Sequence, residues 1–485
     1  MARWWFAVCL VACSGDKETG TPVSDADADA DADSDTDTDV DTDSDTDTQG
    51  PGAPVSGVTL EEVAGVYGVM RLSWTQDSAA DSGWLAFTSD GKTWHESPRV
   101  ARDVGEHQEV VLGLPLGSEV TVKLVQEVDG AVLESTDVWT APNSPIPEGY
   151  AQPTVTWDPV LADPAPFVMG SVAFIDGGWA NIYAYVVMYN RVGDLVWAMP
   201  AFNDSWSIFP RVALDGTHLV VDASTAWCCP PWDGSDSQLH RLTLDGQVLE
   251  TIDVDGLHHS WDEMEDGTIV WGALDEGNHE VLKRRLPGGD EEIVWWSEPW
   301  LTLQGDDESW AESNTVNLSA DESTVLFSFY THETVFEIDL AKGSVVRQFG
   351  KLANSYAFDP PESQFWWQHG VHYTDAGTLM VSTHEFSDSP GDDRQLIREY
   401  VVDDKTGTLT EVWNYVAEDV YSYAAGEGYQ TSIGNVLINY GQPAHIREVT
   451  PDGTVVWDVD WGQSLTYFVG HTEPVDDLYQ LMEGR

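Results

Sequence analysis

The chain has 485 residues, 84 of them acidic against 21 basic, for a formal net charge of −63. Such an excess argues against nucleic acid and anionic lipid as ligands, because both are bound through basic surface. The four cysteines show no zinc-ligand spacing, and 23 tryptophans in a chain of 42% hydrophobic content favour sheets with aromatic layers over helices.

The chain opens MARWWFAVCLVAC, with Arg3 ahead of an apolar run too short to span a bilayer. Leu10-Val11-Ala12-Cys13 resembles a bacterial lipobox. The resemblance implies a signal peptide over 1–12, a lipid on Cys13, and an exported lipoprotein in the periplasm or on the cell surface, held at the membrane by that lipid alone. From Asp25 to Asp47 every second residue is Asp. Like charges at that density keep a chain extended, so 13–53 reads as a disordered tether. A calcium site there lacks the Gly turns and fixed ligand set of calcium loops.

Residues 54–142 carry short alternating runs at 69–74, 84–88, 109–112 and 119–125, separated by turns such as Ser-Asp-Gly and Val-Asp-Gly. This predicts a small β-sandwich. Trp74 and the stretch LPLGSEVTVKLV resemble a fibronectin type III domain, with Val120 or Val122 where that family usually has Tyr. A boundary follows, marked by Pro142, Pro145, Pro147 and Gly149.

From 153 to 470 one pattern repeats: a short strand, an Asp-Gly-like turn, an apolar strand, then a further strand pair. Its first halves begin at Arg211, Asp262, Val316, Val371 and Tyr429, at intervals of 51, 54, 55 and 58 residues. Four strands per period of about 50 residues is the signature of a β-propeller. The expected fold is all-β, with six blades after the sandwich and a closing segment at 471–485. Cys228 and Cys229, adjacent in AWCCPPWDG, are either a vicinal disulfide or two thiols.

In a propeller the starts of the innermost strands line one end of the central channel. His259 stands seven residues before Asp266, Asn314 seven before Asp321 and His369 seven before Ala376. One register shared by three consecutive repeats predicts that these side chains converge. The last lies in FWWQHGVHYTDAGTLMVS, residues 365–382, where Trp366 and Trp367 are either a platform for an aromatic ligand or packing between blades.

Three stretches, LHHSWDEMEDGTIVW (257–271), WAESNTV (310–316) leading to VFEID (335–339), and Gln368-His369, resemble the bacterial arylsulfotransferases. Those enzymes join a small sandwich to a six-bladed propeller and move a sulfuryl group between phenols. The resemblance implies a phenolic sulfate donor, a phenol acceptor and no cofactor or metal. His369 would be the nucleophile, His258 or His259 would stabilise the transferring oxygens, and Asn314 would assist. Two positions depart from the family pattern: Glu312 stands for a His, and Thr331 or Tyr330, ahead of His332, for an Arg. Arg211 or His332 would have to supply the missing charge. The competing expectations are a tethered propeller that binds a ligand or partner without catalysis, and a propeller enzyme of another kind.

Overall fold

The computed structural model describes residues 55–135, 137–175, 182–202, 207–224, 236–275, 279–303, 311–385, 394–422, 425–462 and 466–484. Cys13, the Asp-rich stretch and the Cys228–Cys229 pair lie outside them.

The N-terminal part is two antiparallel sheets sharing one core. Val55–Glu62, Met70–Gln76 and Gly105–Val111 form one; Ala80–Thr88 and Glu119–Val128 are central to the other. Alternation in Met70–Gln76 turns Met70, Leu72 and Trp74 inward. They meet Leu85, Phe87, Val120, Val122 and Leu124.

The rest of the described chain forms six sheets. From inner to outer strand, the first is Tyr467–Val475, Phe167–Ile175, Ile182–Asn190 and Leu195–Pro200. The second is Arg211–Val212, Leu219–Ala223, Gln238–Leu242 and Val248–Asp253. The third is Leu257–Glu263, Ile269–Leu274, Glu280–Arg285 and Glu291–Trp296. The fourth is Ser313–Leu318, Thr324–Phe329, Thr334–Asp339 and Ser344–Gly350. The fifth is His369–Tyr373, Leu379–Glu385, Arg394–Asp403 and Thr408–Val416, with Ala357–Asp359 added outside. The sixth is Glu427–Gln430, Val436–Asn439, His445–Val449 and Val455–Asp460, with Thr154–Trp157 added outside.

The second strands, such as Leu219–Ala223 and Val436–Asn439, are buried throughout rather than alternately. Both their faces are covered, which is why they read as continuous apolar runs. Each cluster of buried side chains lies between two neighbours. Val220 and Leu239 of the second sheet pack with Trp261 and Trp271 of the third. Val270 and Leu282 pack with Phe327 and Phe336 of the fourth. Leu326 and Phe349 pack with Val381 and Tyr400 of the fifth, and Met380 and Ile397 with Val436 and Ile438 of the sixth. Leu437 and Trp457 then meet Val187 and Tyr189 of the first sheet, whose Met188 and Trp197 meet Leu219 and Val221. The stack is therefore circular and propeller-like, and the innermost strands surround its axis.

The two ends of this stack interlock. Thr154–Trp157 pairs with the outer strand of the sixth sheet, while Tyr467–Val475, which runs through position 470, is the inner strand of the first. A buried ion cluster holds the seam. Arg191 donates to Glu448 Oε2 at 2.9 Å and to the Ala165 carbonyl at 2.8 Å, with Asp163 Oδ1 at 3.5 Å. Glu448 Oε1 also accepts from Asp163 N and Asn435 Nδ2. Removing one member of a buried pair strands the other in low dielectric. Arg191→Met is thus expected to cost about 3–5 kcal/mol in urea unfolding; a loss below about 1 kcal/mol would show that the seam does not depend on this cluster.

No helix among the described residues is long and apolar enough to cross a membrane.

Candidate active site

Three consecutive inner strands share an irregularity. Their pairing with the next strand slips between Leu257 and Trp261 in the third sheet, between Ser313 and Thr315 in the fourth, and between His369 and His372 in the fifth. Such bulges re-aim side chains and are frequent beside active sites. Here they fall at His258–His259, Asn314 and His369–Gly370. The backbone is left-handed at His259 (φ 61°), Trp367 (φ 52°) and Gly370 (φ 54°). For His259 and Trp367 that conformation is costly and must be held by surroundings. At position 370 only glycine fits, since a Cβ there would lie 2.3 Å from Glu427 Cβ.

Side-chain hydrogen bonds tie the bulged strands to one another. Ser260 Oγ accepts from Val316 N at 3.0 Å and donates to Val316 O at 3.2 Å. Thr315 Oγ1 accepts from Gly370 N at 3.0 Å. Asn314 Nδ2 donates to the Gln368 carbonyl at 2.7 Å, and its Oδ1 accepts from Thr315. Gln368 Nε2 in turn donates to Ser328 Oγ and the Phe329 and Thr334 carbonyls of the fourth sheet. Asn314, expected to assist the chemistry, is therefore spent on bracing the Gln368–His369 peptide.

His369 lies flat against Tyr330, with ring centroids 5.8 Å apart and 22° between planes, and edge-on to His384 at 5.9 Å. Burial, then the nearby His384, pushes its pKa down to about 3, against the weaker pull of the Trp367 carbonyl and Glu427. Its Nδ1 is enclosed and has no hydrogen-bond partner among the described residues. The ring is a neutral imidazole with an uncommitted nitrogen.

Within the electrostatic reach of His369 stands the His258–His259 pair. His258 Nδ1 is 2.9 Å from His259 Nδ1, and the rings are perpendicular. On its other side His258 Nε2 lies 3.2 Å from Glu280 Oε1 and 3.3 Å from Oε2. Burial alone would lower the pKa of His258, but Glu280 reverses this and raises it, with Glu312 adding to the effect. His259 goes the opposite way, well below the ordinary value, through burial and then the positive influence of His258 and His369. His259 and His369 thus share one electrostatic neighbourhood, and His259 is held neutral.

Glu312, in the place of the family's His, accepts a 2.6 Å hydrogen bond from the Tyr330 hydroxyl, while its backbone N–H donates to Thr331 Oγ1. His332 Nδ1 lies 3.1 Å from the same Thr331 hydroxyl, and its ring packs edge-on to Phe329. Trp366 is 42% exposed, so it is not packing between sheets. Trp367 meets Tyr330 at 5.9 Å.

Arg211 is not with His258, His259 and His369. It donates to Asp262 Oδ1 at 2.7 Å and to Asn317 Oδ1 at 3.4 Å, three residues further along their strands than His259 and Asn314. A second polar level exists there. His372 stacks on Tyr429 at 4.7 Å, and the Tyr429 hydroxyl donates to Glu427. His471 Nδ1 lies 2.7 Å from Glu427 Oε1. Burial pulls the His471 pKa down, but Glu427 overrides it and lifts it to about 9. No group of three or more His, Cys, Asp or Glu among the described residues is placed to hold a metal ion.

Sequence reasoning missed Glu280, and it met Tyr330 only as an alternative to Thr331 in place of the family's Arg, without its contacts to Glu312 and His369. Glu280 begins the third strand of its sheet and Tyr330 follows the second strand of the next. Neither carries the repeat register that marks the histidines.

The segment 306–462 matches the arylsulfotransferase (ASST) family. The match supports the arylsulfotransferase family for this chain. It includes Glu312, Asn314, Tyr330, His332, Trp366, Trp367 and His369, and leaves out His258, His259, Glu280 and Arg211. No curated protein matches the chain. Among solved structures, a periplasmic gluconolactonase of Pseudomonas aeruginosa is 14% identical, with 81% of this chain and 98% of that one covered at a TM-score of 0.39. A β-propeller domain from Myceliophteria thermophila is 11% identical, with 66% and 89% covered at 0.38.

Proposed function

We propose that the protein transfers a sulfuryl group from an aryl sulfate to a phenol, with His369 as the nucleophile. The observation that carries this reading is a neutral, desolvated imidazole, fixed by Asn314 and Gln368 and within electrostatic reach of a histidine pair, in a segment that matches the arylsulfotransferases. An imidazole nitrogen attacks sulfur, the S–O bond to the aryl group breaks, and the donor leaves as a phenolate. An acceptor phenol then gives its proton, directly or through water, to the released phenolate and attacks the same sulfur; the N–S bond breaks and the imidazole is released. The exposed face of Trp366, beside this site in sequence, offers a surface for an aromatic ring. In this reading the lipid on Cys13 and the acidic tether hold the enzyme at a membrane outside the cytoplasm.

One observation favours the second reading, a ligand-binding propeller without turnover. Glu312 puts a carboxylate where the family has a donor, and a carboxylate repels a sulfate. The two are separated by incubating the protein with p-nitrophenyl sulfate and phenol. Phenol-dependent release of p-nitrophenolate, with phenyl sulfate detected by mass, is expected. No transfer above the uncatalysed rate, in the wild type and in a variant relieved of the Glu312 charge, would leave the binding reading in its place.

A further inference from the structure

Glu280 is buried, with no exposed side-chain surface, and it is surrounded by donors. Ser313 N donates to Oε1 and Ser313 Oγ to Oε2, both at 3.0 Å. The third neighbour is His258 Nε2, within 3.3 Å of both oxygens. An ionised carboxylate only accepts, so His258 Nε2 must carry hydrogen. Of the two facing nitrogens, His258 Nδ1 and His259 Nδ1, one must also carry a hydrogen for the 2.9 Å contact to be a bond. Glu280 raises the His258 pKa against the effect of burial and so favours the cationic ring, which would supply it. His259 Nδ1 then accepts, and the hydrogen of neutral His259 must sit on Nε2. That nitrogen lies on the far side of the ring from His258.

We propose that Glu280 is a positioning residue which, through His258, fixes His259 as the Nε2–H tautomer, so that His259 donates a hydrogen bond to an anionic oxygen of the sulfuryl group. The proposal rests on the sulfuryl-transfer reading for its purpose, though not for its geometry. It also accounts for how the site does without the family's Arg: a buried cation one residue away polarises a neutral donor. The charged and titratable groups facing the pair are Glu280 and Glu312 toward His258, and His369 toward His259. Rising pH should remove the His258 cation, release the tautomer and reduce transfer. Without Glu280 the same fall should begin at lower pH.

Nitrogen-15 NMR of histidine-labelled full-length protein tests this without substrate, with His258→Gln and His259→Gln spectra giving the assignments. In the wild type near neutral pH, both His258 nitrogens are expected to be protonated, and His259 to show a protonated Nε2 and a bare Nδ1. Glu280→Gln should remove the His258 cation, lower kcat/KM by about 10²-fold and shift the alkaline limb of the pH profile downward. A wild-type spectrum with neutral His258, or with the His259 proton on Nδ1, overturns the proposal even if the Glu280 variant does not fold. The expected spectrum in a protein that transfers nothing would uphold the tautomer assignment and overturn the sulfuryl-transfer reading instead.

Discussion

His369→Ala is expected to reduce sulfuryl transfer by about 10⁴-fold or more, since losing a nucleophile removes the covalent route entirely. Other imidazoles cannot take its place. His258 is held by Glu280, and its raised pKa favours the protonated ring, which has no lone pair to attack with. His372 stacks on Tyr429 at the next level of the axis, three residues further along the same strand. His384 has Ser422 O and Ala425 O within 3.3 Å of its ring nitrogens. His259 is also neutral, but in the tautomer inferred above its outward nitrogen carries the hydrogen and has no lone pair to offer. Of these site imidazoles His369 is the one that pairs a lowered pKa with an enclosed Nδ1 lacking a hydrogen-bond partner among the described residues. A stronger form of the test is the intermediate itself. Rapid quenching of the wild type with donor and no acceptor should leave one sulfuryl group on the peptide that contains His369. Turnover that survives in the alanine variant, or a label found on another peptide, would show direct transfer or a different nucleophile.

The histidines could be found in the sequence because the repeat itself reports register. A turn at a fixed offset marks where each inner strand begins, and three repeats put His259, Asn314 and His369 at one offset. The structure gives that coincidence a physical form, a slip of strand pairing at the same place in three sheets. What the offset could not convey is direction. Asn314 shares the register, yet its amide points into the joint between two sheets rather than toward a reacting group. Arg211 heads an inner strand as expected, but the second sheet contributes only a short stretch there, and its guanidinium is drawn to Asp262 and Asn317. Glu280 and Tyr330 come from outside the inner strands, and no local pattern links position 280 to 258 or 330 to 369. Partners contributed across strands and sheets are set by packing, which a single sequence does not spell out. The same holds for Trp366, which lies next to a fully buried Phe365 and is nonetheless exposed.

Glu312→Gln is expected to raise the transfer rate by about tenfold or more. In the wild type the carboxylate accepts from Tyr330, whose ring lies flat on His369, so Glu312 is one side chain removed from the proposed nucleophile. Charge accumulates on the sulfuryl oxygens and the departing phenolate during transfer, and a fixed negative charge a few ångströms away opposes it. At an effective dielectric of about 20 two such charges repel by a few kcal/mol, more than the ~1.4 kcal/mol that a factor of ten requires. Glutamine keeps an oxygen for the Tyr330 hydroxyl, so the stack on His369 should persist, and it adds an amide donor of the kind the family's His supplies. One counter-effect is calculable in sign. Glu312 contributes to the raised pKa of His258, so its loss should lower that pKa and bring the alkaline fall in rate to lower pH. The expected profile is therefore higher at its plateau and narrower on its alkaline side. A rate that falls at every pH would show that Glu312 serves the reaction, as a base for the acceptor phenol, rather than hindering it. Tyr330→Phe separates these cases: if Glu312 only hinders, freeing the carboxylate from its hydrogen bond should slow the enzyme further, and if Glu312 is the base, it should speed proton removal.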